Sequence, residues 1–191
     1  FKGTSKYNKE SIAEIFDRMG GYINAYTTNE VVAVYNKVPY FNLDGVLDLI
    51  YRIYSDSLFE KSELESEREV ILNEINSTLE DPQDKIGEDF MFNLFPKQGL
   101  GYPIIGTTES IEGVTRDDLY SFYKTAFNSK DLIIAISGNI NVDNIIKKVE
   151  KFDFASLNVE NDKVAIQGEE KSFFTELNSE QLHIMGGTSK F

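Results

Sequence analysis

Apolar residues recur along this chain with two periods, and the period predicts the element. Across residues 8–19, Ile12, Ile15, Phe16 and Met19 fall at i, i+3, i+4 and i+7, one face of a helix. Gly20-Gly21 predicts its end. Residues 22–27 and 31–38 read as extended runs, with Thr28-Asn29-Glu30 as a hairpin connection. Pro39 stops the second run, because it has no N–H to give to a ladder. Leu43, Val46, Leu47, Ile50 and Tyr54 mark a second amphipathic helix over 42–57. A third, rich in Glu, covers 61–79 and ends before Asp81-Pro82, and a shorter one covers 85–94.

Beyond that point the signals alternate. Pro96, Gly99, Gly101, Pro103 and Gly106 predict a long loop over 96–108. Thr115-Arg116-Asp117-Asp118 has the form of a capping box with Asp in the usual Glu position, and opens a helix to about Thr125. The continuous apolar run 132–137, ended by Gly138, predicts a central strand buried on both faces. Asn141 caps a helix with Val142, Ile145, Ile146 and Val149 on one face. After Phe154 the chain turns polar, so 155–171 reads as a connecting segment, and 172–176 and 181–185 as short strands. The sum is an α+β fold, with helices packed on a mainly antiparallel sheet. The pattern contains no short internal repeat.

Composition narrows the function. The chain has 191 residues, 41% hydrophobic and 27% charged, which suits a globular domain and argues against disorder. Its net charge of −13 repels phosphate backbones and anionic lipid, so nucleic-acid and membrane partners are not expected. Such a balance suits cationic peptides or metal ions, although its commonest meaning is solubility. The absence of Cys removes disulfides and thiolate metal sites, and fits an intracellular, cytoplasmic location. No apolar run approaches the roughly 20 residues that span a bilayer. The opening Phe1-Lys2-Gly3-Thr4 has neither an initiator Met nor a signal-peptide pattern, which predicts a chain cut from something longer.

Candidate chemistry is sparse. His183 is the only His, in the alternating run Gln181-Leu182-His183-Ile184-Met185, where it reads as a strand residue; a nucleophilic triad has no other imidazole to use. Gly99-x-Gly101 lacks the strand–turn–helix setting of a dinucleotide fingerprint, and no phosphate loop is present. Two carboxylates remain, Glu67 and Glu74, seven residues apart and so nearly two turns apart on one side of the third helix. With Leu64 as reference, Ile71 and Ile75 fall within about 20°, and the two Glu roughly 60–80° to one side. They border the apolar stripe, as ordinary surface acids or as members of a half-buried polar site. Pattern leaves both readings open, since a zinc ligand needs partners, typically His, and none is near.

Several segments in fixed order resemble one family. They are Phe1-Lys2-Gly3-Thr4, the stretch from Met19 through Asn24-Ala25-Tyr26-Thr27, and Glu67-Arg68-Glu69-Val70-Ile71-Leu72-Asn73-Glu74-Ile75. Gly101-Tyr102-Pro103-Ile104-Ile105-Gly106-Thr107, the block around Thr115–Tyr123 and Ile134-Ala135-Ile136-Ser137-Gly138-Asn139 continue the set. Over about 1–154 the chain is similar to the pitrilysin/insulinase family of zinc metallopeptidases, in the branch of mitochondrial processing peptidase and its bacterial relatives. One departure is Gln98-Gly99, where the family often has His-Pro.

The resemblance implies a truncated N-terminal-type peptidase domain over 1–154, with 172–191 opening the following strands or a second domain. The family binds zinc through H-x-x-E-H, whose Glu is the general base. That motif precedes the Phe-Lys-Gly-Thr segment, so no catalytic base is expected in this chain. The third ligand falls on Glu74, and the supporting carboxylate on Glu67. Asn24, Ala25 and Tyr26 fall on the strand that pairs with substrate backbone. The implied function is zinc-dependent hydrolysis of peptides or presequences, inactive as supplied, with little zinc held by this portion alone. Implied partners are a peptide substrate, the remaining half of the polypeptide and a homologous subunit. A non-catalytic scaffold or substrate-binding member, or a generic acidic binding domain, are the rival readings.

Overall fold

The structure is a computed structural model and describes residues 2–127, 132–154, 168–176 and 180–188. In chain order it has α1 (Lys9–Arg18), β1 (Tyr22–Thr27), β2 (Val32–Lys37), α2 (Leu43–Ser55), α3 (Lys61–Glu80), α4 (Pro82–Leu94), α5 (Thr108–Gly113), α6 (Arg116–Ala126) and α7 (Val142–Val149). Short 3-10 turns lie at Tyr40–Asn42 and Gly99–Gly101. Helices and a two-stranded antiparallel sheet make the class α+β, as the pattern predicts. The residues form two compact units. The first takes in α1, most of the β1–β2 hairpin, α2, the start of α3, α6 and α7; the second takes in the hairpin tip Thr27–Val32, α3 from Glu65, α4 and α5.

In the first unit, Asn8 Oδ1 caps α1 by accepting the Ser11 N–H at 2.9 Å. The helix ends in a Schellman pair: Gly20 N–H donates to Asp17 O, and Gly21 N–H to Phe16 O. Gly20 takes the left-handed φ of 65° that this closure requires. Gly21 then passes so close to β2 that a Cβ would sit 2.4 Å from Lys37 O. The turn therefore presses the hairpin onto the helix, and Ile23 and Val38 join a core of Ile12, Phe16, Val46, Leu49 and Ile53. Burying each of these large side chains contributes roughly 1.5–3 kcal/mol.

A second apolar nucleus of this unit is aromatic. Tyr123 of α6 is buried, its ring 5.2 Å from Phe59 and 5.5 Å from Phe127, and its hydroxyl accepts the Ser57 N–H at 3.2 Å. Burial pushes the ionisation of Tyr123 and Tyr54 above the usual phenol value. Tyr51 of α2 stacks on Phe152 at 4.3 Å, and Lys148 of α7 pairs with Asp48 at 2.7 Å.

The second unit corrects one helix start and adds a helix. α4 begins at Pro82, three residues before the predicted Lys85, because Asp81 Oδ1 accepts the N–H groups of Gln83 and Asp84. Proline at the first helical position has no N–H to leave unpaired. α5 follows directly on the loop expected over 96–108, in a stretch for which no element was predicted: Thr107 Oγ1 accepts the Ser110 N–H while Ser110 Oγ accepts the Thr107 N–H, a capping box with Ser in the Glu position. Gly101 is buried against Phe95, where a Cβ would come within 2.0 Å of the Phe95 carbonyl.

The expected strand at 132–137 is not one. Among the described residues only β1 and β2 are strands, and Ile133 is 86% exposed. The segments 172–176 and 181–185 likewise carry no strand, with Phe174 and Ile184 exposed. Apolar runs of this kind report a demand for burial; a ladder also needs a neighbour with free N–H and C=O groups, and no neighbour is paired with them among the described residues.

Candidate functional site

α3 carries the site residues of the second unit. Around its axis Leu64, Arg68, Ile71, Leu72 and Ile75 are half-buried or buried, with Ile75 at 4% exposure. Glu67 and Thr78 are half-buried as well, so the packed face is centred near Leu64 and Ile75 and reaches from Glu67 on one side to Leu72 on the other. With Ile75 as reference, Glu67 lies about 80° and Glu74 about 100° to the side away from Leu72. Glu67 is half-buried and Glu74 is exposed. The two acids thus border the packed stripe, with Glu74 the more open.

Arg68 was not singled out from the sequence. Its guanidinium donates to the carbonyls of Ile111 and Val114, the latter at 2.9 Å, and through Nε to Glu65 Oε2 at 3.1 Å. Ile111 belongs to α5 and Val114 is its C-cap, so Arg68 satisfies acceptors left over at a helix end. Glu63, at the start of α3 in the first unit, stands within ion-pair reach of Lys9 at 3.7 Å and Lys2 at 4.0 Å.

The other candidates lie on the hairpin of the first unit. Asn24, Ala25 and Tyr26 are all exposed on β1. β2 pairs with one edge of β1, and no other strand is assigned among the described residues. The Ala25 N–H is held by Asn24 Oδ1 of its own strand at 2.8 Å, so it lies outside the ladder. Tyr22 and Tyr26 both contact Tyr35 of β2, with centroids 6.3 and 6.0 Å apart, an open aromatic face opposite the core-facing Ile23.

Zinc needs about four ligands, three of them from protein even in a catalytic site. Among the described residues no three His, Cys, Asp or Glu come together. Glu74 and Glu67 supply carboxylates only, and His183 joins no such group. The residues described do not by themselves fit a zinc ion.

Residues 1–108 match the family described as Insulinase (Peptidase family M16), and residues 113–185 match Peptidase M16 inactive domain. The chain is 36% identical over 173 residues to an "uncharacterized zinc protease" of Rickettsia bellii, covering 91% of this chain and 40% of that protein. It is 34% identical over 152 residues to the "uncharacterized zinc protease YmxG" of Bacillus subtilis, covering 80% and 37%. A probable mitochondrial-processing peptidase subunit beta of Arabidopsis thaliana is 29% identical over 151 residues, covering 79% and 28%. A protease from Helicobacter pylori shares the fold, with a TM-score of 0.80 at 20% identity over 88% of this chain and 42% of that one. The chain thus spans 40% of the first curated relatives it matches.

Proposed function

The chain belongs to the insulinase family, peptidase family M16, and from that premise we propose that it is part of a zinc-dependent endopeptidase acting on peptides or presequences. Glu74 contributes one metal ligand, with the others supplied by an H-x-x-E-H motif on another segment of the polypeptide. Glu67, two turns earlier, steadies that side of the helix. Separately, the edge of β1 at Asn24, Ala25 and Tyr26 that has no strand beside it among the described residues takes the substrate backbone as an added strand. The remaining half of the polypeptide, and a homologous subunit, are the partners expected to complete the enzyme.

One observation carries the reading: α3 packs through a face centred near Leu64 and Ile75, with half-buried Glu67 at its border, and leaves Glu74 open to solvent just beyond that border. The family match and the relatives called zinc proteases support zinc as the metal and peptide hydrolysis as the reaction class.

The test uses the full-length polypeptide. Metal analysis is expected to find about one zinc per chain, and Glu74→Gln to remove both zinc and peptide cleavage. A zinc-free protein that still binds peptides would make it a scaffold, and an active Glu74→Gln would remove Glu74 from the site.

A further inference from the structure

α3 (Lys61–Glu80) carries a cation on its packed face. Arg68 lies about 20° around the axis from the buried Ile75, while Glu67 and Glu74 stand roughly 80–100° away on the other side. The Arg68 side chain is only 15% exposed, and its donors are committed in two directions. Nη1 and Nη2 donate to the carbonyls of Ile111 and Val114 at the end of α5, and Nε donates to Glu65 on its own helix.

An apolar side chain would fill this position at lower desolvation cost, so packing alone does not account for an arginine. The planar fork does something Leu or Met cannot. It ties α3 to two acceptors 43 and 46 residues further along the chain, in a fixed geometry. The two hydrogen bonds to α5 and its C-cap resist rotation of the helix about its axis, which apolar contacts along a cylinder resist poorly.

We infer that Arg68 is a positioning residue, which sets the roll of α3 against the C-terminal end of α5 and so the direction in which Glu67 and Glu74 face. The inference rests on the role of Glu74 proposed above and adds the residue that aims it. The magnitude is sufficient. On a helix of about 10–12 Å diameter, a 20° roll moves a side-chain tip by roughly 2 Å. A displacement of about 1 Å at a reacting centre costs on the order of a hundredfold in rate.

The experiment compares Arg68→Gln, Arg68→Lys and Glu74→Gln in the full-length polypeptide, at a temperature well below every melting point. Peptide cleavage is read as kcat and KM separately, and amide exchange is followed across α5 and its C-cap. Arg68→Gln is expected to lower kcat at least tenfold per folded molecule, to leave KM within about twofold, and to speed exchange at 112–114. Arg68→Lys, which keeps one donor group near the same carbonyls, is expected to recover part of kcat. If Glu74→Gln abolishes cleavage while Arg68→Gln loses only melting temperature, with kcat unchanged, Arg68 merely stabilises the fold and the inference is overturned. If Glu74→Gln cleaves normally, the proposed role of Glu74 fails first, and the two failures are told apart.

Discussion

Glu67 and Glu74 share one side of α3, two helical turns apart, yet Glu67 is half-buried and Glu74 is open to solvent. Their substitutions are therefore expected to separate. Glu74→Gln changes an exposed side chain, so stability should stay within about 0.5 kcal/mol of the parent. On the proposed role of Glu67 beside a metal ligand, Glu67→Gln is expected to reduce peptide cleavage by the full-length polypeptide roughly 10–100-fold. Glu74→Gln should cost more than that. Thermal melts and cleavage assays of both variants check the ordering, and equal losses would contradict it.

The outer edge of β1 gives a second prediction. The Ala25 N–H is bonded to Asn24 Oδ1 and not to β2, so proline at 25 removes no ladder hydrogen bond. Asn24 is already in a strand, the conformation that a following proline demands. Ala25→Pro should fold normally but lose a donor to an added peptide strand. One such bond is worth about 1 kcal/mol, roughly fivefold in KM, with kcat little changed. An unchanged KM would show that the substrate backbone does not use this edge.

Much of the fold could be read from local signals, since those signals act locally. The Gly20-Gly21 closure of α1, the hairpin and the Asn141 cap of α7 each depend on residues within one turn of one another. α5, in a stretch given no element, escaped because Ser110 is an unusual partner for a capping box. The apolar run at 132–137 looked like a central strand because composition encodes the wish for burial and not the neighbour that satisfies it. At the site, helical periodicity was enough to place Glu67 and Glu74 on one side. Arg68 was not legible: beside Glu65 it resembles an ordinary surface pair three residues apart, and its carbonyl partners on α5 and its C-cap are known only from the fold.

Gly101 tests close packing in the second unit. A Cβ there would stand 2.0 Å from the Phe95 carbonyl and 3.3 Å from that of Met91. Both are backbone atoms, so no side-chain rotation relieves the clash. Gly101→Ala is expected to destabilise by about 1–3 kcal/mol or more, because the loop must shift off a well-packed surface. Gly99, two residues earlier, has nothing within 4 Å of its Cβ position, and Gly99→Ala should melt close to the parent. Chemical denaturation of the pair measures the contrast directly.

The last prediction concerns acid. Thr115 opens α6 with a capping box in which its N–H and hydroxyl both donate to Asp118 Oδ2, at 2.9 and 2.6 Å. These bonds favour the ionised carboxylate and hold Asp118 below its ordinary value of 3.8. A carboxylate with a lowered folded-state pKa stabilises the fold above its unfolded value, and the contribution fades as pH falls through the folded one. Asp118→Asn keeps an amide oxygen for Thr115 but carries no charge to titrate. The parent should therefore melt higher than Asp118→Asn near neutral pH, and the gap should close below about pH 4. Melting curves from pH 7 to pH 3 test this, and a gap that stays constant across that range would mean the charge on Asp118 has no part in holding the start of α6.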